Sequence, residues 1–131
     1  MTERITAAAA RAMMALTVGP DKRRVRGTRR VKYQGQWFDS KHERDQFIIL
    51  ADREKRGEIR GLRRQVAFML LGKDGPILTP TGRPMEYRAD FTFWDVLEAR
   101  ERVLDAKGHP TDTYLIKKAI LAAQGVLVEE V

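Results

Sequence analysis

Cysteine is absent from the 131 residues. That one absence excludes disulfide bonds, thiolate zinc sites and thiol nucleophiles together, and it fits a reducing cytoplasm, the expected location. Histidine is scarce as well, with His42 and His109 alone. Two imidazoles without cysteine make a structural zinc site a poor expectation. Both lie in locally polar pattern, so neither is read as catalytic, although His109 is close to Lys107. No apolar stretch approaches the ~20 residues of a membrane span, so no membrane partner is expected. No glycine-rich phosphate loop precedes a helix, and no Ser-His-Asp order is visible. The run Ala7-Ala8-Ala9-Ala10 follows Glu3 and Arg4 and is broken by Arg11, which makes a poor secretory core. A plain helical extension is the favoured reading, ahead of an organelle-targeting peptide.

What the chain does have is positive charge, and it is unevenly placed. The formal net charge is +7. Lys22, Arg23, Arg24, Arg26, Arg29, Arg30 and Lys32 crowd one short stretch. Basic density of this kind suits a polyanion, because each neutralised phosphate releases counterions on binding. A solvated basic arm is the plainer reading. The two agree if the arm orders on nucleic acid, the partner this pattern favours over a membrane surface or an acidic protein.

The length suits one domain with a modest core. Residues 2–16 read as a short helix, ended by Gly19-Pro20, so residues 1–30 form an N-terminal helix and basic arm ahead of a domain over 31–131. A two-stranded ribbon is expected at Val31–Tyr33 and Trp37-Phe38, turned by Gln34-Gly35-Gln36. Ser40 reads as the N-cap of a helix running to about Arg56, with Gly57 as its stop. Strands are expected at Arg64–Leu71, Tyr87–Trp94 and Arg102–Ala106. In the second, Tyr87, Ala89, Phe91 and Phe93 alternate with Arg88, Asp90, Thr92 and Trp94, which predicts one apolar face. A second helix spans about Thr111–Gln124, and Val126–Val128 closes the chain as a strand. Short loops make the three strands an antiparallel meander, and the helical crossover predicts that the last strand adds in parallel. The fold class is thus α/β (α+β), a mixed sheet flanked by helices in the order αβββαβ.

The chemistry-bearing group is Asp90 with Asp105-Ala106-Lys107. Two carboxylates repel by roughly 4 kcal/mol at ~4 Å in a near-surface dielectric. A divalent cation turns that cost into attraction, so paired acids at strand ends point to a metal site. Residues two apart in a strand face the same way, ~6.6 Å apart, which places Lys107 in the space that Asp105 faces. An acid, any residue and lysine also occur at Asp39-Ser40-Lys41, so the triplet gains meaning only from its context. Surface acids serving Arg88 and Arg102 are the bland alternative.

Glu43 shares a helical stripe with Phe47, Leu50 and Glu54. Its spacing from Ser40 is that of a capping box, so a cap and a ligand both stay open. Gln65 opens the first long strand, where a structural role is the default. Tyr114, Lys117, Lys118 and Leu121 share a face of the second helix, where the lysines are phosphate-contact candidates or solvated charges. Trp37 and Trp94 are candidates for base stacking, with packing the default.

Phe38-Asp39-Ser40-Lys41-His42-Glu43 opens the first helix, Ala89-Asp90-Phe91 lies in the second strand, Asp105-Ala106-Lys107-Gly108 ends the third, and Thr111-Asp112-Thr113-Tyr114 starts the second helix. In this order the motifs resemble the PD-(D/E)XK nuclease superfamily. More narrowly, they resemble small, mostly phage-encoded proteins similar to Holliday-junction endodeoxyribonucleases. Ala89 stands where many members have proline. The resemblance covers residues 31–131 and implies a restriction-endonuclease-like core with Mg²⁺ (or Mn²⁺) as cofactor. It implies ligands from Asp90, Asp105, the Ala106 carbonyl and Glu43, Lys107 beside the attacking water, and an accessory role for Gln65. The expected activity is metal-dependent DNA endonucleolysis on duplex or branched DNA by a homodimer, within the host cytoplasm if phage-encoded. The rival is a non-catalytic nucleic-acid binder on the same scaffold.

Overall fold

The computed structural model describes residues 29–106 and 111–131. The helix expected over 2–16, the basic residues Lys22, Arg23, Arg24 and Arg26, and Lys107 and His109 lie outside the described residues.

Strands β1 (Val31–Tyr33) and β2 (Gln36–Phe38) form an antiparallel hairpin. Gln34 (φ 49) and Gly35 (φ 79) both adopt positive φ at its tip, the requirement of the tight turn that matches strand twist. Helix α1 (Lys41–Lys55) follows, with Ser40 Oγ accepting the Glu43 N–H at 3.1 Å. Gly57, at φ 76, ends it.

Strand β3 (Ile59–Met69) begins five residues earlier than the sequence pattern indicates. Gly61 at φ 65 and a register shift between Arg60 and Arg63 disturb its first half, and a bulge erases the period-two signal on which the expectation rested. A short hairpin, β4 (Leu71–Gly72) with β5 (Gly75–Pro76), fills the predicted turn. Strands β6 (Glu86–Asp95) and β7 (Arg100–Asp105) complete an antiparallel meander, and α2 (Asp112–Ala123) starts on Thr111.

Strand β8 (Val128–Glu130) pairs in parallel with β7, through Val103↔Val128, Leu104↔Glu129 and Asp105↔Glu130. It lies two residues beyond the expected 126–128. The Val126 N–H is taken by the Leu121 carbonyl at 2.9 Å, so this residue finishes the helix rather than opening the strand. The main sheet runs β3-β6-β7-β8, a mostly antiparallel mixed sheet in an α+β domain.

Two apolar clusters hold it together. One joins Val66, Phe68, Tyr87, Ala89, Val103 and Val128 to Tyr114 and Leu121 of α2. The other joins Ile59, Phe91, Phe93 and Leu104 to Leu50 of α1, with Phe47 packed against it. Neighbouring Val103 and Leu104 belong to different clusters, as residues on opposite faces of one strand must. Burying side chains of this size contributes roughly 1.5–3 kcal/mol each.

The single apolar face predicted for β6 is therefore corrected. Tyr87 and Ala89 pack with α2, whereas Phe91 and Phe93 pack with α1. The change of side falls at Asp90. Across from it, between the pairs Arg64↔Phe91 and Val66↔Ala89, Gln65 holds φ 53.

Candidate active site

That break in alternation is what gathers polar groups between two apolar clusters. Glu43 arrives from the first turn of α1 and is 3% exposed. Asp105, 2% exposed, comes from the end of β7 as expected, but Asp90 comes from the middle of β6 and not from a strand end, because β6 runs on to Asp95. Gln65 comes from β3, at a positive φ that only a few per cent of non-glycine residues adopt. A strained backbone beside buried acids is a mark of functional sites.

The Gln65 side-chain amide links two of the acids. Its Nε2 donates to Glu43 Oε1 at 2.9 Å and to Asp90 Oδ1 at 3.2 Å. The other Asp90 oxygen, Oδ2, accepts the Ala106 N–H at 2.8 Å. Phe91↔Leu104 is the β6–β7 pair nearest this end, and the Ala106 N–H bond holds Asp90 against the end of β7, where Asp105 lies. Asp105 Oδ2 accepts the Tyr87 hydroxyl.

Burial raises the Asp90 carboxyl well above the ordinary aspartate range. The charges of Asp105 and Glu43 push it the same way, and the Ala106 N–H opposes them. Glu43 is raised too, by burial first and the Asp39 charge second, while Arg64 pulls it back. Burial and the Asp105 charge push the Tyr87 phenol far upward, which keeps it a donor. A site that holds three acids against their own repulsion favours whatever brings positive charge.

Glu43 takes part in the helix cap, much as the cap reading expects. Ser40 caps its N–H, and Glu43 Oε2 accepts the Asp39 N–H at 3.3 Å, one residue upstream of the usual capping-box partner. Its Oε1 faces the sheet, toward Gln65 and the Arg64 guanidinium at 3.4 Å. Gln65 therefore stands between Glu43 and Asp90. Among the described residues, no three His, Cys, Asp or Glu side chains are grouped ready to hold an ion.

The lysines of α2 are committed elsewhere. Lys117 Nζ donates to the Glu86 carbonyl at 2.8 Å, and Lys118 Nζ pairs with Glu130 at 3.1 Å. Tyr114 is buried, its ring 5.9 Å from that of Tyr87 and its hydroxyl donating to Glu130. Arg29 and Arg30 are exposed at the start of the hairpin.

Two neighbours escaped sequence reasoning. Tyr87 was read as an apolar face residue, yet a buried phenol needs a hydrogen-bond partner, and that need was the available signal. Arg64 had none, since only the fold carries β3 past the hairpin. Its Nη1 donates to Gln36 Oε1 and its Nη2 to the Trp37 carbonyl, both at 2.9 Å.

The family model described as a protein of unknown function (DUF1064) matches residues 23–129, and the chain belongs to that family. No curated protein and no solved structure matches it. Among the described residues, no helix is long and apolar enough to cross a membrane.

Proposed function

We propose that this protein is a Mg²⁺- or Mn²⁺-dependent endodeoxyribonuclease, with branched or junction DNA as its first candidate substrate. The observation that carries the reading is the placement of Asp90 beside Asp105 on adjacent strands, with the Ala106 N–H bonded to Asp90 and burial pushing the Asp90 carboxyl well above its ordinary range. Carboxylate oxygens are the hard donors that Mg²⁺ selects, so Asp90 and Asp105 fit the ion as ligands, with the Ala106 carbonyl and Glu43 as further candidates. When bound, the ion would acidify a water and offset charge on the phosphorane.

The chain's own residues supply the rest. Gln65 fixes the rotamers of Glu43 and Asp90 through its two hydrogen bonds. Lys107, two residues past Asp105 in the sequence, would add positive charge to offset that building on the phosphate oxygens. The arm residues Lys22, Arg23, Arg24, Arg26, Arg29 and Arg30 would hold the DNA backbone, since Lys117 and Lys118 are engaged within the fold. A homodimer would present two such sites, one for each strand. The resemblance to the PD-(D/E)XK nucleases supports the same assignment.

The test compares the native chain with Asp105→Asn on supercoiled and four-way-junction DNA with Mg²⁺. The native chain is expected to nick or resolve both, and the variant to bind without cutting. Equal cutting by the variant would remove the proposal.

A second reading, a non-catalytic nucleic-acid binder, is favoured by the Tyr87 and Gln65 hydrogen bonds, which satisfy these acids without a metal. Calorimetry separates the two. Salt-sensitive DNA binding with no Mn²⁺ uptake would favour the binder.

A further inference from the structure

The β1–β2 hairpin has two unlike faces. Tyr33 and Phe38 turn toward Phe47 of α1, with ring centroids at 6.4 and 5.2 Å. Period-two alternation sends Arg30, Lys32 and Trp37 the other way. Lys32 is the cross-strand partner of Trp37, and its ammonium lies 5.7 Å from the indole centroid. The Arg30 guanidinium lies 5.2 Å from the same ring. Even so, Trp37 remains 52% exposed. The default expectation of packing for this residue is corrected: its ribbon is already anchored by Tyr33 and Phe38, and the indole is surplus to that packing.

A lone exposed tryptophan needs no explanation. The backbone of this one is tied to Glu43. A single guanidinium nitrogen, Nη2 of Arg64, spans the Trp37 carbonyl and Glu43 Oε1. Arg64 also lies over the Phe38 ring, 3.7 Å from its centroid. The backbone that carries the indole is thus tied through Arg64 to one acid of the site, and Arg30 and Lys32 lie over the ring.

We propose that Trp37 is a stacking platform for an unpaired nucleobase, with Arg30 and Lys32 neutralising the phosphates that flank it. This inference rests on the nucleic-acid reading above and narrows it to substrates with unstacked bases. A base in an intact duplex is already stacked on both faces, whereas one in a single strand or at a branch offers a free π-face. The cations pull the backbone in without reading sequence, so the platform selects structure rather than base identity.

Binding is measured in EDTA, where no cutting occurs, with an oligo(dT) strand and a blunt duplex of equal length. Trp94→Phe leaves Trp37 as the one tryptophan. Its emission is expected to be strongly quenched by oligo(dT) and little changed by the duplex. In the otherwise native chain, Trp37→Ala is expected to weaken oligo(dT) binding roughly tenfold, a stacked base's usual share, with duplex binding unchanged. Trp37→Phe should retain most of the affinity. Unchanged emission at saturation, or equal oligo(dT) affinity for Trp37→Ala and the native chain, would overturn the platform. Because the metal is absent, a chain that stacks bases but never cuts DNA would sink only the nuclease proposal, and one that cuts without stacking only this one.

Discussion

Gln65 donates an amide hydrogen to Asp90 Oδ1 at 3.2 Å while its own backbone holds φ 53. The two facts belong together, because the left-handed backbone turns the side chain between Asp90 and Glu43. Strain and contact are separable by substitution. Gln65→Ala and Gln65→Gly both remove the amide, but only glycine tolerates this φ freely. Gln65→Gly is expected to be more stable than Gln65→Ala by about 1 kcal/mol, the usual size of such strain. Both should fall below the native chain, since they leave Glu43 and Asp90 without their shared donor. Urea unfolding of the three proteins decides it, and equal stability of the two variants would show that φ 53 carries no strain.

Tyr87 and Asp105 make the second pair worth cutting. The hydroxyl donates to a carboxylate that is 2% exposed. Tyr87→Phe removes the donor and strands a buried acceptor, at a cost of about 1–3 kcal/mol. If Asp105 binds Mg²⁺, the ion replaces the missing partner. The variant's melting temperature should then drop in EDTA and recover more with Mg²⁺ than the native protein gains. A drop that Mg²⁺ leaves untouched would place the ion away from Asp105.

How far the sequence foretold this site depends on the range of the forces involved. Caps and turns are local, so Ser40, Gly57 and Gln34-Gly35 marked their elements correctly. Asp90 and Asp105 were legible as neighbours because a short loop makes β6 and β7 antiparallel, which sets the middle of β6 against the end of β7. The face change in β6 was not legible. It depends on a backbone angle in β3, and nothing in the alternation of Tyr87, Ala89, Phe91 and Phe93 encodes it. The positive φ of Gln65 was not legible for the same reason, although the residue itself was an accessory candidate. Trp37 misled in the other direction, since hydrophobicity alone favours packing, and its exposure follows from which hairpin face the α1 aromatics occupy.

Away from the site, Asp95 sets an acid limit on stability. It is 1% exposed and accepts the Glu98 N–H and an Arg102 N–H, each at 3.0 Å, with Arg53 at 3.7 Å. The Glu98 N–H is the largest cause that holds its carboxyl below the ordinary value of 3.8, and Arg102 and Arg53 act in the same direction against the cost of burial. A depressed folded-state value means that the stabilisation is whole above the unfolded value and disappears as pH falls through the folded one. Asp95→Asn is therefore expected to cost about 1–3 kcal/mol at pH 7, with the gap from the native chain closing below the ordinary aspartate value. Denaturation midpoints of both proteins between pH 7 and pH 2.5 would test this, and a constant gap would contradict it.

Arg64 carries the last expectation, because one side chain joins three elements. It reaches Gln36 and the Trp37 carbonyl in β2, Glu43 in α1, and lies over the Phe38 ring. A two-stranded hairpin is marginal alone, so β1 and β2 depend on such anchoring. Lysine keeps the charge but loses the planar fork that makes several directed bonds at once. Arg64→Lys should therefore loosen the hairpin while leaving the four-stranded sheet intact. Hydrogen exchange should quicken across residues 31–38 by roughly fivefold to tenfold, equivalent to about 1–1.4 kcal/mol of lost local protection. Amides of β6 and β7 should exchange as before. If the hairpin amides are equally protected in the variant, the Tyr33 and Phe38 contacts with Phe47 suffice to hold it, and Arg64 serves Glu43 alone.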